Sequence, residues 1–568
     1  MGYIKQLPEA NTRCGKVAIS FALACSLALA VQRDLSAADN MILVSPCSAG
    51  PVEFKPPTTP ADKPSTVSPN NPSGATTDLP PTAPARKLSE PTQVLPSTQP
   101  SSQPATQAPT TEYIPPEQLT PDAKPTDTKP VEVKPVEPEK VSAPRDVRPL
   151  PGGLDSVPMF NSNNPEVVLS EGILLSTFPN ADGPAHLNYS FDGRFDIFAH
   201  HIADGKKSGH LEDLNLGLIV GNVGEKPVTV QVLTAASYCT RPDSPFISLD
   251  ALVNNDEGTI FAGPGDRVTD VMLREEKPDE SWTTKVTVEP GAKVLLKNSV
   301  INVRDFSTNV NGRSLLAKLK SSGPVRLALV AKFSSVDENG NQISPTEDDF
   351  FAILDAGKLV EPRDPAPTRP EDKGAIRYGR VAGVQSGSTW KTKVTDHNSE
   401  FLALPSPEKP ISYPISSLAA GTFGTGQVQS APMVVRNEGS AYQAHGNYGV
   451  KYDLTFPLKN NTDQDLKVNV ALETPLKSDE KKDSVLFYQP TDKRVFYRGT
   501  LKVGASKGKK VSKYNYQHIV EHRGESVAPI LTTVVPKNSV STVEVQLIYP
   551  PDCTPPQMLT LSTSPDVE

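Results

Sequence analysis

Residues 214–232 read LNLGLIVGNVGEKPVTVQV and residues 452–470 read YDLTFPLKNNTDQDLKVNV, two stretches that align without a gap at an offset of 238. In each, apolar residues alternate up to a shared asparagine, Asn222 or Asn460, pause over a polar turn, and alternate again. Alternation at period 2 is the mark of a half-buried strand. A polar turn between two such runs suits a β-hairpin, so the folded part of the chain is expected to use one β-rich design twice. A weaker echo links Phe198-Ala199-His200 to Gln443-Ala444-His445 at an offset of 245.

Working outward, short apolar runs recur with Gly, Pro and Asn turns between them. Val167–Ser176, Phe191–Phe198, Lys285–Val288, Lys293–Leu296 and Val325–Phe333 read as strands before Pro370. Ala375–Val384, Val428–Val435, Val495–Val503, Tyr514–His518 and Val540–Tyr549 read so after it. Many short strands with turn signals predict a mainly β fold of two tandem β-sandwich-like domains. A few short helices are expected among them. Ser314–Ser321 (SLLAKLKS) stops at Gly323-Pro324, and Ser344-Pro345-Thr346-Glu347 reads as a capping box opening a helix that ends at Gly357. GPGDR, from Gly263 to Arg267, reads as a tight turn. The Pro-rich passage 359–374 separates the halves, giving domains at 147–369 and 370–568.

The N-terminal part is of another kind. Lys5, Arg13 and Lys16 precede an apolar run of 15 residues from Val17 to Val31. That is short of the roughly 20 residues a bilayer span needs, and it fits the apolar region of a signal peptide occupying 1–38. Cys25, inside the run, leaves an acylated or uncleaved anchor as alternatives. Residues 39–146 follow as a linker. Between Pro51 and Lys140 there are 22 prolines and only Phe54 and Tyr113 are aromatic, so this arm is expected to stay disordered with polyproline II bias. The sequence therefore points to an exported protein of the periplasm, outer envelope or extracellular space, with no membrane span in its mature form. A net charge of −8 without a dense Lys/Arg patch argues against nucleic-acid binding.

Several long strings point the same way. LPGGLDSVPMFNSNNPE (150–166), EGILLSTFP (171–179), FDIFAHHIADG (195–205), AGPGDRV (262–268), YGRVAGVQSGSTW (378–390), GTGQVQSAP (424–432) and AHGNYGVKY (444–452) occur in order. Together they resemble a family of exported cyanobacterial proteins, domain of unknown function 3370, over about Arg148 to Ser562. The resemblance implies an envelope location in a photosynthetic bacterium and brings no activity, cofactor or catalytic residue with it.

Candidate chemistry is sparse. Of eight histidines, His186, His200, His201 and His210 fall within 25 residues. Imidazole is a common metal ligand, which makes His186 and His200 candidates for a metal site. Adjacent His200 and His201 would face opposite sides of a strand, and no zinc-type spacing accompanies them. His518 and His522 lie near Glu521 in HIVEH. The pairs Asp192/Asp196, Asp348/Asp349 and Glu544/Asp552 supply carboxylates of the kind glycoside hydrolysis uses. Cys239 and Cys553 could pair across the halves in an oxidising compartment. Flat rings stack on sugars, and Trp282, Trp390, Tyr442 and Tyr448 are available. In the Gly-rich string HGNYG, His445, Asn447 and Tyr448 are the candidate ligand-binding residues. No cofactor is implied. The expected function is a non-enzymatic binding or structural module for cell-wall or surface polysaccharide, or for another envelope protein. The alternatives are a secreted carbohydrate-active hydrolase and a His-based metal-binding periplasmic protein.

Overall fold

The computed structural model describes residues 138–566, apart from 180–182, 481–482 and 509. The leader, Cys25, Cys47 and most of the Pro-rich arm lie outside the described residues. The fold is mainly β, as the alternation predicts, and consists of two sandwiches.

In the first sandwich, a nine-stranded sheet runs Lys285–Val288, Val228–Cys239, Val310–Ser321, Arg194–Asp204, Pro158–Ser162, Ala382–Ser386, Ala431–Arg436 and Gln443–Ala444, with Val167–Val168 also beside Arg194–Asp204. A four-stranded sheet of Lys293–Ile301, Leu214–Gly221, Arg326–Phe333 and Gly172–Ser176 faces it. Phe160, Phe195, Leu216, Leu218, Val230 and Leu329 fill the space between them. In the second, a seven-stranded sheet containing Lys451–Lys459, Val540–Ile548, Val495–Ser506 and Asn515–His522 packs on a six-stranded sheet containing Ile411–Ile415, Gln557–Pro565 and Leu466–Thr474. Tyr452, Phe456, Val470, Leu501, Val545 and Leu559 form that core.

The two opening stretches do correspond, but they are not hairpins. Leu214–Gly221 belongs to the four-stranded sheet and Val228–Cys239 to the nine-stranded sheet, so the polar turn at Asn222 carries the chain from one layer to the other. The turn at Asn460 does the same between Lys451–Lys459 and Leu466–Thr474. The correspondence extends to five strands. In each copy the first strand pairs with the fourth, Leu214–Gly221 with Lys293–Ile301 and Lys451–Lys459 with Val540–Ile548. The second pairs with the third and fifth: Val228–Cys239 with Lys285–Val288 and Val310–Ser321, and Leu466–Thr474 with Leu531–Val535 and Gln557–Pro565. The weaker echo does not hold, because 198–200 and 443–444 are strands of the same nine-stranded sheet.

The shared asparagine has a definite task. Asn222 Nδ2 donates to Lys226 O at 2.7 Å and Val288 O at 2.9 Å, while its Oδ1 accepts from Gly224 N at 2.9 Å. Asn460 repeats this, with Nδ2 donating to Gln464 O at 2.8 Å and Val535 O at 2.9 Å, and Oδ1 accepting from Thr462 N at 2.9 Å. Each amide thus closes its own corner and fastens it to the return corner between the third and fourth strands. Replacing either by Ala strands buried backbone groups. Asn222→Ala and Asn460→Ala should each lower unfolding free energy by about 2 kcal/mol, read from urea midpoints, with similar losses at the two sites.

Four other expectations are corrected. Ser314–Ser321 is part of the strand Val310–Ser321, not a helix. The capping box is shifted by two residues, with Thr346 as N-cap and Asp349 as its reciprocal partner in the helix Glu347–Ala356; Gly357 ends that helix as expected. GPGDR opens an 11-residue helix, Pro264–Arg274, with Pro264 in its first turn. The final residues of the expected linker form a strand, Glu139–Pro144.

Nor does the break at 369/370 separate the sheets. Ala382–Ser386, Ala431–Arg436 and Gln443–Ala444 complete the first sandwich, and Leu252–Asn254 pairs with residues 517–519 of the second. The described residues belong to one compact unit. Among the described residues, no helix is long and apolar enough to cross a membrane.

Candidate functional site

The helix Pro264–Arg274 lies between the two sandwiches. Val268, Met272 and Leu273 pack with Phe198, Ala236 and Leu316 on the outside of the nine-stranded sheet, and with Ile548 of the seven-stranded sheet. Gly263 at its N-cap has no side chain to satisfy the first N–H groups. Asp552, 287 residues beyond Gly265, supplies the acceptor: its Oδ2 takes Gly265 N at 2.8 Å and Asp266 N at 3.2 Å. Burial pushes the Asp552 carboxyl up to about 6, with the nearby Arg498 guanidinium pulling the other way. Asp266 Oδ2 accepts from Ala262 N at 2.8 Å and lies 2.7 Å from His518 Nε2, with both side chains fully buried. Thr474 Oγ1 donates to the buried Glu521. These acids and the imidazole face one another and the backbone. Asp266, His518 and Asp552 join the two sandwiches, whereas Thr474 and Glu521 link the two sheets of the second.

The HGNYG segment is similarly occupied. Asn447, at φ 49°, is fully buried. Its Nδ2 donates to Gln429 O at 2.7 Å and Tyr452 Oη at 3.0 Å, and its Oδ1 accepts from Ala431 N at 3.0 Å. Tyr448 Oη donates to Cys553 O at 3.0 Å, and its ring packs between Phe198 and Tyr549. The His445 ring lies 4.8 Å from that of Tyr378, and burial pulls the imidazole down to about 4. The segment therefore ties the strings GTGQVQSAP and AHGNYGVKY together beneath the surface.

The candidate metal ligands are not gathered. His186 Nδ1 lies 2.8 Å from Ser176 Oγ, whereas His200 Nδ1 lies 2.9 Å from Ser314 Oγ. Among the described residues no three His, Cys, Asp or Glu side chains are grouped to hold a metal ion. His186 lines a shallow hollow of about 550 Å³ with Leu187, Val435 and Arg436. The expected disulfide is absent. Cys239 and Cys553 are free thiols in different cores. Each donates to a backbone carbonyl, Val300 O and Arg498 O, both at 3.3 Å. Trp282 and Trp390 are core residues, and Arg436 lies 3.9 Å over the ring of Tyr442.

What remains open is one face of the seven-stranded sheet. The helix Pro264–Arg274 covers the part around His518 and Ile548 and reaches Tyr516, which packs against its apolar residues. Beside it, a row of side chains crosses five adjacent strands in register: Lys391, Asp453, Gln546, Lys502 and Tyr516. Strand spacing makes that row roughly 19 Å wide. Lys391 Nζ lies 2.9 Å from Asp453 Oδ2, and Gln546 Nε2 donates to Asp453 Oδ1 at 3.1 Å. The next row carries Lys393, Thr455 and Glu544. Tyr514 Oη donates to Glu544 Oε2 at 2.6 Å, and burial together with that bond raises the phenol to about 12. Lys502 Nζ stands 4.6 Å from the Tyr514 ring, while Arg274 stacks at 4.0 Å on Tyr516. Tyr514, Tyr516, Asp453, Glu544, Gln546 and Lys502 are all partly buried, with part of each side chain at the surface. They form an aromatic and polar platform held in place by mutual bonds and bordered at Gly504 by the buried Val511. Sequence inspection missed it. The only signal was the polar phase of the alternation in KYDLT, VEVQL and YNYQH, which does not say which face is left uncovered.

No curated protein matches the chain. Among solved structures, the tandem CBM22-1–CBM22-2 domain of Xyn10C from Paenibacillus barcinonensis aligns over 70% of this chain and 98% of its own, at 8% identity and a TM-score of 0.12. A score that low carries no weight for fold or function. The family model described as protein of unknown function DUF3370 matches residues 145–563, almost the whole described body. The chain is therefore a member of the DUF3370 family.

Proposed function

We propose that this is a non-enzymatic, exported envelope protein that binds cell-wall or surface polysaccharide on the open face of its seven-stranded sheet. The observation that carries this reading is the in-register row Lys391–Asp453–Gln546–Lys502–Tyr516, with Tyr514 and Glu544 beside it. Tyrosine rings offer flat apolar area with a polar tip. The carboxylates, amide and ammonium groups are hydrogen-bonding partners for sugar hydroxyls, and those with charge make the stronger bonds. Because the residues sit on adjacent strands, the platform is rigid before a ligand arrives, which lowers the entropy cost of binding. Asp266, His518, Asp552 and Glu521, the acids and imidazole that could support hydrolysis, are buried and engaged with one another, with helix N–H groups or with Thr474, which favours binding over catalysis.

The mature chain should sediment with isolated wall or exopolysaccharide from the native cell. Tyr514→Ala combined with Gln546→Ala should weaken that binding about tenfold, equivalent to ~1.4 kcal/mol, without moving the thermal midpoint by more than a few degrees. Wild-type protein that stays in the supernatant with every envelope polysaccharide would exclude the reading. So would a double variant that binds as well as the wild type. Fractionation of native cells would separately test the envelope location.

A further inference from the structure

The strand Glu139–Pro144 is where the N-terminal arm meets the body. It pairs antiparallel with Ser484–Gln489 over six residues, from Glu139 opposite Gln489 to Pro144 opposite Ser484. None of its side chains is buried, and only Ala143 is even half-buried. The strand is thus held mainly by backbone bonds of about 0.5–1.5 kcal/mol each. Ordering it costs about 1–2 kcal/mol per residue. The two sums are close, so attachment of this strap is nearly balanced against release.

The edge beneath does not depend on the strap. Leu486 O accepts from Leu476 N and Tyr488 N donates to Gly524 O, both at 2.8 Å, so the other edge of Ser484–Gln489 is already satisfied. By the alternation of an antiparallel ladder, the backbone groups of Val485, Phe487 and Gln489 are the ones that face the strap. The side chains of Val485 and Phe487 are buried against Phe423 and Met558. Release of the strap would leave a formed strand with a bare edge, a ready template for another strand. Release would also stop at a defined point. Arg145 makes a paired contact with Glu473, Nη2 to Oε1 at 2.8 Å and Nε to Oε2 at 3.3 Å. Its backbone N donates to Asp483 O at 2.9 Å, and Asp146 N donates to Pro410 O at 2.8 Å.

We propose that the edge Ser484–Gln489 is a strand-addition site, and that its occupant in trans is the Glu139–Pro144 segment of a second copy of this chain. That segment matches the edge in register by construction. It hangs from the end of a long Pro-rich arm, and only the Pro144–Arg145 pivot separates it from its own anchor. Exchange of an identical element is a low-cost route to association. It would link neighbouring copies through their arms and leave the open sheet face free.

A labelled peptide of residues 138–145 is the probe, and the full-length chain carrying Val141→Pro is the partner. Proline removes the central strap donor and leaves the edge intact. The variant should bind the peptide about twofold more tightly than wild type, because a strap near balance covers the edge in about half of the wild-type molecules. Wild type should associate with rising concentration in sedimentation velocity, whereas the variant should not. Hydrogen exchange on the unmodified protein gives a reading independent of any variant: amides of Val485 and Phe487 should exchange far faster than those of Val468 and Val470. Equal or absent peptide binding to both chains, a variant that still associates, or full protection of Val485 and Phe487 would each overturn the proposal.

Discussion

Gly265→Ala should cost the protein about 3–5 kcal/mol and loosen the two sandwiches from each other. A β-carbon at this position would fall within 2.8 Å of Asp552 Cγ and press on the Pro551 ring. Gly265 is absent from the positive-φ glycines, so the penalty is one of space and not of backbone conformation. To admit the methyl group, the loop at 551–552 must withdraw, and the Asp552 carboxylate then leaves two helix N–H groups without an acceptor. Urea denaturation should show a lower midpoint and a broadened or split transition as the sandwiches lose their coupling. Pro551→Ala should relieve part of the loss in a double-mutant cycle, because the two side chains compete for one volume. Additive effects, or a Gly265→Ala midpoint equal to wild type, would show that the junction is not close-packed around this helix start.

Acid should unfold the body earlier than its carboxylates alone would dictate. Burial, helped by Arg380, depresses His200 to about 3; burial depresses His201 and His445 to about 4. His201 Nδ1 lies 2.8 Å from Pro165 O, which can only accept, so Nε2 is left to accept from Ser162 Oγ at 3.0 Å. The folded state refuses protons that the unfolded chain takes up at a pKa near 6.5. The stability tied to these neutral rings is complete above about pH 6.5 and is lost as pH falls toward 4. Each ring can contribute up to a few kcal/mol. Asp552 opposes them. Its folded pKa of about 6 exceeds the ordinary value of 3.8, so its protonation stabilises the fold as pH drops from 6 to 4, by at most about 3 kcal/mol. Glu166, Asp196, Asp270 and Glu521, whose carboxyls burial also raises, oppose the rings as well, so the histidine share is read at His201 itself. His201→Gln should be less stable than wild type at pH 7.5, and the gap should narrow steadily by pH 4.5. Asp552→Asn should remove one opposing contribution and make stability fall more steeply between pH 6 and 4. A pH-independent gap for His201→Gln would rule out its titration as a source.

The parts legible in the sequence were those with local causes. Alternation at Leu214–Gly221 and Lys451–Lys459 reports one buried face, and Asn222 and Asn460 mark the corners. Whether such a corner pairs its flanking strands or sends them to opposite layers depends on partners 66 and 75 residues away, which local pattern does not contain. The strand Val310–Ser321 was hidden for a related reason. Leu315 and Leu319 face the sandwich core while Leu316 faces the junction helix. Burial on both sides erases period 2, and SLLAKLKS then resembles a helix. The helix at Pro264 has its acceptor on residue 552, so nothing near GPGDR announces it. His445, Asn447 and Tyr448 were singled out for residue type in a Gly-rich segment. That composition reflects tight packing against Leu316 and Phe198 at Gly449, not a ligand. The open platform was invisible because each strand supplies only one or two residues to it.

The strap and the residues after it have one more consequence, for the order in which the molecule can form. Although they come first in the described chain, they settle on the second sandwich: Glu139–Pro144 on 484–489, and Asp146–Val147 on 411–412. The strand beside 411–415 is the last of all, Gln557–Pro565. A growing chain thus holds the strand Glu139–Pro144 idle until residues 484–489 have been made. Completion is a closing of the circle between beginning and end, a contact of long sequence separation and intrinsically slow to form. Through most of synthesis the polypeptide has no finished body, the condition in which a chain can still be threaded.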